Sequence, residues 1–87
     1  MALIAVVGAY EGPWIMANGD FVAHAMVHGL SPTISIEIEF DNRNGGGRLV
    51  LHEGENRVEM QKWARYRVIK QAPSDDDVPT FVDFVFG

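Results

Sequence analysis

The stretch TISIEIEFD, Thr33 to Asp41, constrains the fold more than any other part of the chain. Ile34, Ile36, Ile38 and Phe40 occupy every second position, with Thr33, Ser35, Glu37, Glu39 and Asp41 between them. Successive side chains of an extended strand point to opposite faces, so this period of two describes a strand with one apolar and one acidic face. A helix would scatter the same apolar residues over opposite sides of its axis. The apolar face needs a second layer to cover it, and one strand cannot supply that layer.

Other segments repeat the extended pattern. Phe21 to His28 is bounded by Asn18-Gly19-Asp20 and by Gly29 with Pro32, and reads as a hairpin partner of the regular strand. Arg43-Asn44-Gly45-Gly46-Gly47 reads as a flexible hairpin tip, after which Arg48 to His52 resumes a short strand. A phosphate-cradling loop competes for the three glycines, but such loops lead into a helix and carry a lysine, and neither follows. Arg57 to Met60, Arg65 to Gln71 and Thr80 to Phe86 complete the series. Leu3 to Val7 reads as a buried or intersubunit strand, the alternative being an assembly arm over residues 1–16. Glu55 to Tyr66 contains good helix formers without an apolar stripe at helical spacing, which leaves room for one turn near Gln61 to Ala64. The expected fold is all-β: one domain over residues 1–87, an antiparallel β-sandwich or jelly-roll-like barrel of six to seven short strands.

Composition removes several classes of function. Seven Lys and Arg stand against twelve Asp and Glu, a formal charge of -5, whereas a grip on nucleic-acid phosphates needs clustered cations. No direct nucleic-acid partner is expected. The absence of cysteine removes disulfides, thiolate metal sites and the most reactive nucleophile. The apolar opening MALIAVVGAY has no Lys or Arg ahead of it, and its run ends at Gly8, far short of the roughly 20 residues of a spanning helix. No membrane attachment is expected.

The candidates for chemistry are weak. Glu37 and Glu39 share a strand face about 6.6 Å apart, a spacing open to a carboxylate pair, but the chain is short for the cleft that glycoside hydrolysis requires. Acids on a solvated or partner-facing sheet are the simpler reading. His24 and His28 share a face about 13 Å apart, too far to bind one metal ion, and His52 joins them only through cross-strand pairing. Asp75-Asp76-Asp77 lacks the spacing and bidentate glutamate of a calcium loop and reads as an exposed acidic loop. None of Ser31, Ser35 and Ser74 sits in a nucleophile elbow. The expectation is a protein that is not an enzyme, with no cofactor and no metal.

Trp14 and Trp63 remain, with Tyr10, Tyr66 and the phenylalanines of TFVDFVF. Large rings serve as core or interface anchors, and exposed ones on a β-sandwich stack on sugar rings. Arg57, Lys62, Arg65, Arg67 and Lys70 lie in the second half of the chain, and Glu11, Asp20, Glu37, Glu39 and Asp41 in the first, an asymmetry that suits contacts between copies.

The order GDFVAHAMVHGL, then TISIEIEFDN with its glycine-rich tip, then RVEMQKWARYRVIKQ and a valine-rich terminal strand resembles the small β-sandwich proteins of tailed-phage virions. That group comprises head decoration or cement proteins and short fibre modules, with outlines such as V-x-V-x-G-L, V-x-L-x-V-E and Y-R-V. The likeness spans most of residues 19–86 as a pattern of strands and turns. It departs at Phe40-Asp41-Asn42, where a small-residue turn is commoner, and in its long apolar start. The resemblance implies a non-enzymatic virion protein, assembled in the host cytoplasm, that binds and stabilises the phage head. Its implied partner is the major capsid protein or another shell protein, and it implies a homo-oligomer, with a trimer favoured. Contacts between chains are then expected in residues 1–16 and 80–86, with Leu3, Ile4, Val6, Val7, Trp14, Trp63, Phe81, Phe84 and Phe86 as interface residues. The alternative is a carbohydrate-binding adhesion or tail-fibre module.

Overall fold

The computed structural model describes residues 2–17, 22–42, 45–60 and 63–86, and the side chains of Ala2, Leu3, Ile4, Trp63 and Phe86 lie outside that description. Nine strands lie among the described residues: β1 (Ala2–Val6), β2 (Tyr10–Glu11), β3 (Ile15–Met16), β4 (Val22–His28), β5 (Ser35–Asn42), β6 (Gly45–Leu51), β7 (Gly54–Glu59), β8 (Trp63–Gln71) and β9 (Thr80–Phe86). Every pairing is antiparallel. The first sheet runs β1-β9-β4-β7 and the second β2-β8-β5-β6, with β3 also lying along β8.

The fold class expected from alternation holds, and the two extra strands are the short pieces β2 and β3. They form one interrupted edge: between them Gly12 N donates to Val68 O at 2.9 Å, and beyond them Ala17 N donates to Ala64 O at 3.1 Å. Alternation also places the core. Ala23, Ala25 and Val27 of β4 and Val82 and Phe84 of β9 face Ile36, Ile38, Tyr66 and Val68 from the second sheet. The Tyr66 and Phe84 rings meet across the gap edge to face, 6.1 Å between centroids and 61° between planes.

Four expectations are corrected. The strand starting near Phe21 is not the hairpin partner of the regular strand: β4 pairs with β7 and β9, while β5 pairs with β6 and β8. Both strands carry an apolar face, and the fold sets these faces opposite each other across the core instead of side by side. Gly45 to Gly47 are not a hairpin tip but the first residues of β6, in register with Asn42, Asp41 and Phe40. Glycine is required there by close approach, since a Cβ on Gly46 would stand 2.5 Å from the Phe40 carbonyl oxygen. The turn residues Arg43 and Asn44 lie outside the described residues. Of the segment considered for a helical turn, Gln61 and Lys62 also lie outside, while Trp63 and Ala64 open β8.

The fourth correction concerns Asp76, which is not part of a fully exposed acidic loop. Lys70, inward-pointing on β8, donates from Nζ to Asp76 Oδ2 at 2.7 Å, to Val6 O at 3.1 Å and to Val78 O at 3.3 Å. Gly8 N donates to the same carboxylate oxygen at 2.8 Å. One buried ion pair therefore joins β8, the loop before β9 and the β1–β2 connection, with all three ammonium donors used.

Two short links carry the chain between sheets at their edges. Val7 to Ala9 joins β1 to β2, and His52 with Glu53 joins β6 to β7. Asn56 holds the second link: its Oδ1 accepts from His52 N at 2.8 Å, and its Nδ2 donates to His52 O at 2.8 Å and to Ala25 O at 3.1 Å. β1 and β2 thus lie on one side of the sandwich, and β6 and β7 on the other.

Candidate functional site

The outer face of the second sheet is built from the polar half of the alternation in β5. Register sets Glu39 between Arg67 of β8 and Arg48 of β6, and Asp41 beside Arg65. Arg67 Nε donates to Glu39 Oε1 at 2.7 Å and Arg48 Nε to Glu39 Oε2 at 3.1 Å. Arg48 also reaches Glu37 at 3.4 Å, Arg67 reaches Glu11 at 2.7 Å, and Arg65 pairs with Asp41 at 3.1 Å. Arg65 and Arg67 of the second half thus pair with Asp41, Glu39 and Glu11 of the first within one chain, because antiparallel pairing brings β8 between β5 and β2.

Hydrogen bonding from Arg67, opposed by partial burial and reinforced by Arg48, holds the Glu39 carboxyl below its usual range. The Arg48 guanidinium is raised in turn, first by its hydrogen bond to Glu39. A carboxylate fixed as an anion between two guanidinium groups is poorly suited to donate a proton.

Trp14 stands at the border of this ladder, in the gap between β2 and β3 where Gly12 and Pro13 interrupt the edge. The Arg65 guanidinium lies 4.2 Å and that of Arg67 4.5 Å from its ring centroid, a double cation–π contact. Beside the indole lies a shallow depression of about 360 Å³ lined by Trp14, Glu39, Phe40, Asp41, Gly46, Gly47 and Arg48.

The outer face of the first sheet differs. In β9, Thr80, Val82 and Phe84 point inward, and Phe81, Asp83 and Val85 point outward. Phe81 is 39% and Val85 45% exposed. Asp83 lies between them, in register with Met26 of β4, and among the described residues its buried Oδ1 has no hydrogen-bond partner. Toward β7 the same face turns polar, where His24 Nδ1 meets Glu55 at 2.9 Å and His28 meets Glu53 at 3.5 Å. His52 engages through its backbone. Among the described residues no group of three His, Asp or Glu is placed to hold a metal ion, and no helix is long and apolar enough to cross a membrane.

The residues expected at an interface are dispersed. Phe81 is on the surface of β9 and Val7 is exposed just after β1, whereas Val6 and Phe84 are buried in their own chain. Trp14 is half-buried on the second sheet. The side chains of Leu3, Ile4, Trp63 and Phe86 lie outside the described residues. Sequence reasoning missed the pairing of Lys70 with Asp76, the part of Arg48 and the position of Asp83. The only trace of Asp83 was an acid in the middle of TFVDFVF.

No family model matches the chain, and no curated protein matches it in sequence. Its fold is similar to the crystal structure of SPBc2 prophage-derived protein YomS, with a TM-score of 0.58 and 8% identity over 97% of this chain and 94% of that one.

Proposed function

We propose that this chain is a non-enzymatic structural protein of a tailed-phage virion, a decoration or cement subunit that docks on the head shell through the outer face of its first sheet. The observation that carries this reading is Asp83. A carboxylate oxygen cut off from water without a donor costs free energy, and turning the half-buried Asp83 side chain toward an Arg, Lys or backbone N–H of a docked partner would recover it. Phe81 and Val85 on either side offer apolar area to the same partner. The fold likeness to a prophage-derived protein over nearly the whole of both chains supports a phage origin. The arginine-clamped Glu39 supports a structural part over a catalytic one.

The test is co-sedimentation of the purified chain with heads of the encoding phage that lack it, comparing wild type, Asp83→Lys and Phe81→Glu. Binding by the wild type that both substitutions abolish, with melting temperatures unchanged, supports the reading. Equal binding by all three, or none by the wild type, overturns it.

The depression beside Trp14 favours a second reading, a sugar-contacting tail or adhesion module in which the outer ring face stacks on a saccharide. In a Trp63→Phe background, Trp14 emission would then shift on titration with cell-wall polysaccharide of the host. An unchanged spectrum removes this alternative.

A further inference from the structure

We propose that copies of this chain assemble head to tail, the free edge of β1 in one copy laddering onto the free edge of β6 in the next. The inference comes from the four edges of the sandwich, which are unequally protected. An edge strand presents unpaired N–H and C=O groups, and folded proteins blunt such edges with charge, proline or interruption. β7 carries Glu55, Arg57 and Glu59, all exposed. The β2–β3 edge consists of two two-residue strands separated by a segment containing Pro13, which has no N–H to offer.

The other two edges lack these devices. β1 reads ALIAV, without charge or proline. β6 reads GGGRLVL, and its one charge, Arg48, is engaged by Glu37 and Glu39 on the outer face of its own chain. Among the described residues nothing pairs with the outer side of either strand. Exposed apolar side chains gather at these same edges: Val7, directly after β1, and Val50 of β6 are each 57% exposed, with Leu49 beside Val50.

Placement selects the occupant. The two open edges belong to different sheets and lie on opposite sides of the sandwich, because each is linked by two or three residues to a protected edge of the other sheet. Pairing β1 with β1 alone, or β6 with β6 alone, stops at a dimer and leaves one open edge on every copy. Using both together needs two separately matched self-pairings, under which a variant blunted at one edge would still dimerise through its intact edge. Pairing β1 with β6 covers both edges of every copy, and such heterologous contacts close into a ring or propagate as a filament. Five residues of β1 and seven of β6 are comparable in length, and the uncharged β1 brings no repulsion to Arg48. The second copy is therefore the partner whose edges match. β6 belongs to the other sheet from the face proposed to bind the shell, whereas Ala5 of β1 is in register with Phe81 on that face, so Val50→Lys is the variant that separates the two proposals.

The experiment is light scattering on the full chain across a concentration series, for wild type, Ala5→Lys, Val50→Lys and an equimolar mixture of the two variants. Ala5 and Val50 are exposed, and a lysine at either blunts one edge only. The expected result is a species larger than a dimer for wild type, a monomer for each variant and a one-to-one heterodimer for the mixture, since each variant keeps the edge the other has lost. A misfolded variant cannot give that heterodimer, and circular dichroism identifies it. A wild type that stays monomeric or stops at a dimer overturns the proposal, as do folded variants that still assemble or a mixture that remains monomeric. A monomer that still co-sediments with heads overturns the ring and leaves the docking face standing, while a ring that does not co-sediment does the reverse.

Discussion

Lys70 and Asp76 form an ion pair of 2.7 Å closed off from solvent at one end of the sandwich, with the Gly8 amide donating to the same carboxylate oxygen. The pair ties the β1–β2 link to the loop before β9. Removing one partner strands a buried charge, so Asp76→Asn should lower the melting temperature by at least roughly 10 °C at neutral pH. Calorimetry of the two proteins checks this.

The same pair has a pH signature. The hydrogen bond from Lys70, then that from Gly8, holds the Asp76 carboxyl below its ordinary value of 3.8. A depressed folded value means that the contribution is complete above the unfolded value and is lost as pH falls through the lower folded one. The gap in melting temperature between wild type and Asp76→Asn should therefore narrow as pH drops below about 4. A gap that stays constant down to pH 2 contradicts this assignment.

Glu39 sits between two guanidinium groups on a partly solvated face. Glu39→Gln should lower the melting temperature by a few degrees, because Arg67 keeps Glu11 and Arg48 keeps Glu37. Screening weakens such pairs, so the difference should shrink in 1 M NaCl. A difference that grows with salt would assign the effect to packing.

Phe81 and Phe84 stand three residues apart on opposite faces of β9. Phe84, 1% exposed against Tyr66, should cost about 3–5 kcal/mol when changed to Ala. Phe81, 39% exposed, should cost clearly less on the same change, on the order of 1 kcal/mol, measured by urea unfolding. Equal losses would contradict the facing of the strand.

Gly46 has no room for a side chain. Gly46→Ala forces a Cβ against the Phe40 carbonyl, and overpacking of this kind costs about 1–3 kcal/mol. The expected sign is a loss of stability, with amide exchange in β5 and β6 rising first. A neutral result would return these glycines to a loose hairpin tip.

Much of the fold was legible because the period of two is a local property. Ile36 and Ile38 declared a buried face before any partner was known, and the ends of β9 at Thr80 and Phe86 were readable from the turn residues around them. The candidate site was far less legible. Asp76 looked like one acid in a solvated run, and its role depends on Lys70 pointing inward from a strand whose neighbouring cations point out. Trp14 carried no sign of its two arginines, which lie about fifty residues further along the chain.

Local alternation alone made the all-β class readable, together with the residues of each strand that share a face, and a chain without cysteine forms no disulfide. Packing in three dimensions was needed to show which strands are neighbours, that opposite charges pair across β5 and β8, and that, among the described residues, Asp83 Oδ1 has no donor and two edges have no neighbour. The reason is physical: alternation is set by the geometry of consecutive residues, whereas pairing is chosen among competing long-range arrangements that satisfy the same alternation, and only packing the two sheets against each other separates them.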